Sequence, residues 1–141
     1  MTAADPGENG RARPRIMIVD DDGAMRSLIR MTLPLMDAEI AEAGDGREAL
    51  ELAGRARPDL VLLDWRMPGR SGADVLAELK RRYRDLPVIV LTGETGALQR
   101  ALAESLGADT FVTKPFSPLA LLETIERLLA EQPVSAAESA S

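Results

Sequence analysis

The sequence predicts an α/β protein built on a doubly wound, five-stranded parallel sheet with five helices. Strand-like apolar runs alternate strictly with stretches of helical periodicity along the chain. The central runs are continuously apolar, as expected where both faces of a sheet are covered. Four of the runs also end in polar residues. Ile16–Val19 runs into Asp20-Asp21-Asp22, Val61-Leu62-Leu63 into Asp64, Val88–Leu91 into Thr92, and Thr110–Thr113 into Lys114. In an open parallel sheet these ends lie along one edge, in the crevice where such folds place their sites.

Met1 to Pro14 is rich in Ala, Gly, Pro and charge without periodicity and is expected to be a disordered tail. Arg15 to Val19 is the first strand, and Asp22 is placed to cap the helix after it. Met25, Leu28, Ile29, Thr32 and Leu33 follow at helical spacing until Pro34 ends or kinks the helix. Ala38 to Ala43 is a short strand near an edge. Asp45 with Glu48 resembles a capping box, opening a helix through Leu50 and Leu52 towards Gly54. Asp59 to Asp64 is the third strand, followed by a turn at Pro68-Gly69.

Ser71 caps a helix carrying Val75, Leu76 and Leu79, with Arg81, Arg82 and Arg84 suited to its C-terminus. Pro87 introduces the fourth strand, ending at Thr92. Leu98, Ala101, Leu102, Ser105 and Leu106 make one face of the next helix, stopped by Gly107. Thr110 to Thr113 is the fifth strand. Ser117-Pro118 is a cap with a first-turn proline, opening a helix with Leu119, Leu122, Ile125, Leu128 and Leu129. One folded domain over 15–130, between disordered tails at 1–14 and 131–141, accounts for the chain.

Composition narrows the chemistry. With 141 residues there is material for a single core. No cysteine is present, which excludes disulfides and thiolate metal sites. The absence of histidine means that any phosphohistidine must come from a partner. A net charge of −6 argues against a nucleic-acid backbone as partner. No apolar run approaches a membrane span and no secretion signal opens the chain, so a soluble cytoplasmic protein is expected. Among 17 basic residues only Lys80 and Lys114 are lysine, so Lys114 at a strand end suggests that a compact point charge is wanted there.

Asp20, Asp21 and Asp64 need a reason to converge. At an effective dielectric near 20, two carboxylates about 4 Å apart repel by about 4 kcal/mol. Either a pKa rises or a cation resolves the conflict. An all-oxygen acidic site suits a hard ion, and Mg²⁺ held by one or two carboxylates with phosphate is the familiar pattern. A carboxylate is also a nucleophile that forms aspartyl-phosphates. Asp64 is the candidate, with the Thr92 hydroxyl and the Lys114 ammonium available to phosphoryl oxygens.

These pieces make the chain resemble a response-regulator receiver domain of bacterial two-component systems. They are Val19-Asp20-Asp21-Asp22, Leu63-Asp64-Trp65-Arg66-Met67-Pro68-Gly69, Leu91-Thr92-Gly93 and Val112-Thr113-Lys114-Pro115-Phe116, in order over about residues 15–130. The resemblance implies a flavodoxin-like strand order of 2-1-3-4-5. It implies that Asp64 is the phosphoacceptor, that Asp21 binds Mg²⁺ directly and Asp20 largely through water, and that the Arg66 carbonyl is a further ligand. Thr92 and Lys114 would grip the phosphoryl group.

It also implies a cis bond before Pro115 and a switch in which Thr92 and the aromatic Phe111 move together. That movement would remodel the face made by the fourth helix, fifth strand and fifth helix. Arg66 and Glu94 fall at the two variable positions flanking the site, where an ion pair over the phosphoryl group would slow its hydrolysis.

The leading expectation is therefore a stand-alone phosphorylation switch, catalysing only its own phosphorylation and autodephosphorylation. Its partners would be a sensor histidine kinase or histidine phosphotransfer protein, in a phosphorelay or otherwise, and a downstream protein. One alternative is a receiver excised from a longer regulator. Another is a Mg²⁺-dependent phosphohydrolase using Asp64, although such enzymes usually carry an acid two residues after the nucleophile, where this chain has Arg66. A nucleotide or flavin site would want Gly, Ser or Thr where Asp20-Asp21-Asp22 stands.

Overall fold

The computed structural model describes residues 13–66, 71–93 and 97–131. Five strands, β1 (Arg15–Val19), β2 (Glu39–Ala43), β3 (Leu60–Asp64), β4 (Val88–Thr92) and β5 (Thr110–Thr113), form one parallel sheet in the order β2-β1-β3-β4-β5. Between and after them run α1 (Gly23–Thr32), α2 (Gly46–Arg55), α3 (Gly72–Arg82), α4 (Ala97–Ser105) and α5 (Pro118–Ala130). The alternation read from the sequence is thus the architecture, and the strand order is the one the resemblance implies.

Alternate side chains on each inner strand face opposite ways, so each strand feeds two cores. Met17, Val19, Val61, Leu63, Val88 and Val90 pack with Ala49, Ala53, Val75, Leu76, Leu79 and Ala103 from α2, α3 and α4. Ile16, Ile18, Leu60, Leu62, Ile89 and Leu91 pack with Ile29, Leu121, Leu122, Ile125 and Leu128 from α1 and α5. Every residue of β3 and β4 is buried, which is why those runs lack polar alternation.

The helix starts follow local chemistry. The Asp22 carboxylate accepts from the N–H groups of Ala24 and Met25, Asp45 from that of Glu48, and the Ser71 and Ser117 hydroxyls from those of Asp74 and Ala120. The Asp45–Glu48 box is not reciprocal. Glu48 Oε1 accepts from the N–H of Gly44, one residue earlier than the box requires, at 2.9 Å.

One expectation gains detail and another needs correction. The α-helix ends at Thr32, ahead of Pro34 as expected. The chain then makes a 3-10 turn over Leu33–Met36 and leaves through Asp37 in the left-handed region at φ 58°. The turn lets Leu33 reach the core, 1% exposed.

The second concerns α4. The stripe of Leu98, Ala101, Leu102 and Ser105 lies on the solvent side, Leu98 being 81% and Leu102 43% exposed, and the helix buries Ala103 instead. An apolar stripe gives the helix its period but not which side meets the sheet.

Strand edges shift slightly from the sequence boundaries. The sheet's pairing also begins before β1, because the N–H of Glu39 donates to the Pro14 carbonyl at 2.8 Å. The outer parts of both expected tails (1–12 and 132–141), the Met67-Pro68-Gly69 turn and Glu94 lie outside the described residues.

Candidate functional site

The carboxyl ends of β1, β3, β4 and β5 converge on one crevice. Asp20 follows β1 directly, Asp64 and Thr92 are the last residues of β3 and β4, and Lys114 follows β5. Parallel register aligns them: Asp64 stands opposite Leu91, and Thr92 opposite Thr113. Main-chain bonds then carry the sheet one step beyond its strands. The N–H of Asp20 donates to Ala43 O, that of Trp65 to Leu91 O, and that of Lys114 to Thr92 O at 2.8 Å.

Within this frame one oxygen from each of Asp20, Asp21 and Asp64 lies within 4.8 Å of the others. Asp20 is fully buried and Asp64 nearly so, whereas Asp21 is exposed. The Lys114 ammonium reaches into the same space, 3.1 Å from Asp64 Oδ1 and 3.4 Å from Asp20 Oδ2. The N–H of Asp22 donates to Asp20 Oδ1 at 2.9 Å. Thr92 is buried beside them, 6% exposed.

The electrostatics are those of a site short of positive charge. Burial, and then the neighbouring Asp20 charge, push the Asp64 carboxyl up to about 6, against the pull of Lys114 and of the Arg66 N–H. Burial pulls the Lys114 ammonium down, but Asp64 and Asp20 outweigh it and leave its pKa raised. Three carboxylates thus face one ammonium. A hard divalent cation fits this donor set: all oxygen, anionic and open to solvent on the Asp21 side. The cluster could hold such an ion, with Mg²⁺ as the expected one.

The remaining candidates fall around this centre. Phe111 is half-buried on β5, and the Arg100 guanidinium of α4 lies 4.8 Å from its ring centroid. The Lys114–Pro115 peptide is cis. Arg66 is exposed beside Asp64, and its intended partner Glu94 is not among the described residues.

Two supporting features had no sequence signal. A Cβ on Gly72 would stand 2.6 Å from the carbonyl oxygen of Trp65, so α3 can start this close behind Asp64 only with glycine there. The buried Trp65 indole donates from Nε1 to Gln99 Oε1 on α4 at 2.7 Å, tying the residue after Asp64 to that helix. Both depend on contacts between segments distant in sequence.

Comparison with known proteins identifies the family and agrees with the fold. The family described as "Response regulator receiver domain" matches residues 16–126. The chain belongs to that family. A response regulator named MprA from Mycobacterium leprae is 40% identical over 126 residues, covering 89% of this chain and 55% of the relative. Its namesake from Mycolicibacterium vanbaalenii is 40% identical over 115 residues, covering 82% and 50%. The chain therefore spans about half the length of these curated relatives.

Among solved structures, the Vibrio cholerae chemotaxis protein CheY4 superposes with a TM-score of 0.79 at 33% identity, covering 83% of this chain and 99% of that one. A CheY-like receiver domain from Methanospirillum hungatei does so with a TM-score of 0.82 at 29% identity, covering 86% and 97%. The chain is thus a receiver domain of two-component signalling. Among the described residues no helix is long and apolar enough to cross a membrane.

Proposed function

We propose that this receiver is a phosphorylation switch in which Asp64 is the phosphoacceptor. The observation that carries the reading is the placement of the Asp64 carboxylate between two further acids and the Lys114 ammonium, 3.1 Å from its Oδ1. An Asp64 oxygen would attack the phosphorus of a partner's phosphohistidine. The new O–P bond forms as the N–P bond breaks, and the electron pair leaves with the imidazole.

Such transfers ask mainly for alignment and charge neutralisation. Mg²⁺, held by Asp20, Asp21, Asp64 and the Arg66 carbonyl, would supply charge at the phosphoryl oxygens. Lys114 supplies a fixed cation and the Thr92 hydroxyl a hydrogen bond. A raised Asp64 pKa fits a group designed to share its space with a cation.

The phosphoryl donor is a sensor histidine kinase or a histidine phosphotransfer protein. The output is a new arrangement of α4, β5 and α5, involving Thr92 and Phe111, that a downstream protein recognises. The chain spans about half the length of the curated relatives it matches, so this sequence is read either as a stand-alone regulator or as the receiver part of a longer one. To move such a switch from 1:99 to 99:1, the phosphoryl group must favour the active state by about 5.5 kcal/mol. Several charge-assisted bonds are of that order. Arg66 and Glu94 are proposed to screen the phosphoryl group from water and so set its lifetime.

The test is the intact mass after incubation with acetyl phosphate, with Mg²⁺ or with chelator, beside Asp64→Asn. A single phosphoryl adduct requiring both Mg²⁺ and Asp64 is the expected result. An adduct on the Asn variant, or none on the wild type, overturns the proposal.

A further inference from the structure

Arg26 reaches from α1 back to the loop that carries Asp20 and Asp21. Its Nη1 donates to the main-chain carbonyl of Asp20 at 2.7 Å, and its Nε donates to Glu42 Oε1 on β2 at 3.0 Å. The guanidinium is seated between two glycines. A Cβ on Gly44 would lie 3.5 Å from Nη1, and one on Gly23 3.6 Å from Nη2. The other oxygen of Glu42 accepts from Arg30 Nη1 at 2.7 Å. Arg26 is only a quarter exposed, so this is no loose surface pair.

The carbonyl that Arg26 holds belongs to the peptide joining Asp20 to Asp21. Fixing that plane fixes the direction in which the chain departs towards the Asp21 carboxylate. Asp20 is already secured by Ala43 on its N–H side and by the Asp22 N–H on its Oδ1. Asp21 is exposed, and among the described residues no hydrogen bond orients its carboxylate. The peptide plane is then what aims it.

A bare guanidinium beside a cation site would repel the cation. Glu42, shared with Arg30, offsets part of that charge, leaving the hydrogen bond available at reduced electrostatic cost.

We infer that Arg26 is a positioning residue for the divalent-cation site, with Glu42 as its neutralising partner. The inference rests on the assignment of Asp20, Asp21 and Asp64 to a Mg²⁺ site. Orientation and charge act with opposite signs here. If Arg26 were merely a nearby cation, its removal would tighten Mg²⁺ binding. If it aims Asp21, its removal weakens binding, and outer partners of metal ligands are typically worth 10- to 100-fold in affinity.

The experiment is calorimetric titration of Mg²⁺ into the wild type, Arg26→Ala, Arg26→Lys and Glu42→Gln, with urea unfolding of each in chelator. Arg26→Ala is expected to weaken Mg²⁺ about tenfold, at the lower end of that range. Arg26→Lys falls between, because one ammonium replaces a fork that serves both Glu42 and the carbonyl. Glu42→Gln weakens binding by a smaller factor. If Arg26→Ala proves unfolded, the comparison of Arg26→Lys with the wild type decides. Arginine variants that bind Mg²⁺ as tightly as the wild type, or more tightly, overturn the inference alone. A wild type that binds no Mg²⁺ overturns the metal site and this inference with it.

Discussion

Helices α4 and α5 lie immediately before and after β5 in the chain, yet they are held by different forces. Helix α5 buries Leu121, Leu122, Ile125 and Leu128, whereas α4 buries Ala103 alone. Each buried leucine or isoleucine contributes about 1.5–3 kcal/mol of transfer free energy, so α5 is anchored several times over. The ties from α4 are of another kind: Gln99 to the Trp65 indole and Arg100 over the Phe111 ring. Polar bonds exchange for bonds to water at a net cost of about 1 kcal/mol. The difference teaches that the fold anchors one neighbour of β5 in the core and leaves the other replaceable. The replaceable one is joined to the residue after Asp64.

The sharpest break in this comparison is a pair of truncations. Ile125→Ala, at a fully buried position of α5, is expected to cost about 2–5 kcal/mol through lost transfer energy and the cavity left behind. Leu98→Ala, at the 81% exposed position of α4, is expected to stay within about 0.5 kcal/mol. Urea unfolding of both variants gives the values. Similar losses at the two sites would mean that α4 is packed by its leucine stripe after all.

The strand ends were legible in the sequence because buried parallel strands advertise themselves as apolar runs, and their polar terminators are local to those runs. Asp20, Asp64, Thr92 and Lys114 could be placed on one edge from that pattern alone. The orientation of α4 was not legible. Its stripe of Leu98, Ala101 and Leu102 has a helical period, but nothing in a single helix says whether that stripe or Ala103 meets the sheet.

Arg26 was silent for a different reason, since a main-chain carbonyl is an acceptor that any residue provides. Gly72 carried no signal of its own in the sequence. Its need for glycine comes from the Trp65 backbone, which no local rule places there.

A second test concerns the rigid centre of the sheet, where the acid at the end of β3 works against stability. The Asp64 pKa is raised by burial and by Asp20 to about 6, from 3.8. Between those values the folded state holds a proton that the unfolded state has lost. Stability therefore falls as pH rises through this window, and the full penalty is present above it. Asn resembles the protonated acid.

In chelator at pH 7.5, Asp64→Asn is expected to be more stable than the wild type by about 1–3 kcal/mol, one pKa unit being worth about 1.4 kcal/mol. The advantage should vanish below the unfolded pKa. Adding Mg²⁺ should close the gap by stabilising the wild type. Paired urea titrations across pH measure this, and an advantage that persists at low pH would point to packing instead of charge.

The smallest expected effects probe the ties of α4. Gln99→Ala leaves the buried Trp65 N–H without its acceptor, a loss of about 1–3 kcal/mol at most, reduced where water enters. Arg100→Ala removes a cation–π contact worth about 0.5–1 kcal/mol at a partly exposed ring. Both should raise amide exchange in α4 relative to α5, because local opening reports the contacts that hold one element. If α4 is the mobile neighbour of β5, the two variants should also shift the unphosphorylated protein towards its active arrangement. Partner affinity without phosphate would then rise, up to about five-fold for Arg100→Ala, the factor that 1 kcal/mol allows. Unchanged exchange in α4 would mean that these bonds only decorate a helix already fixed by its ends.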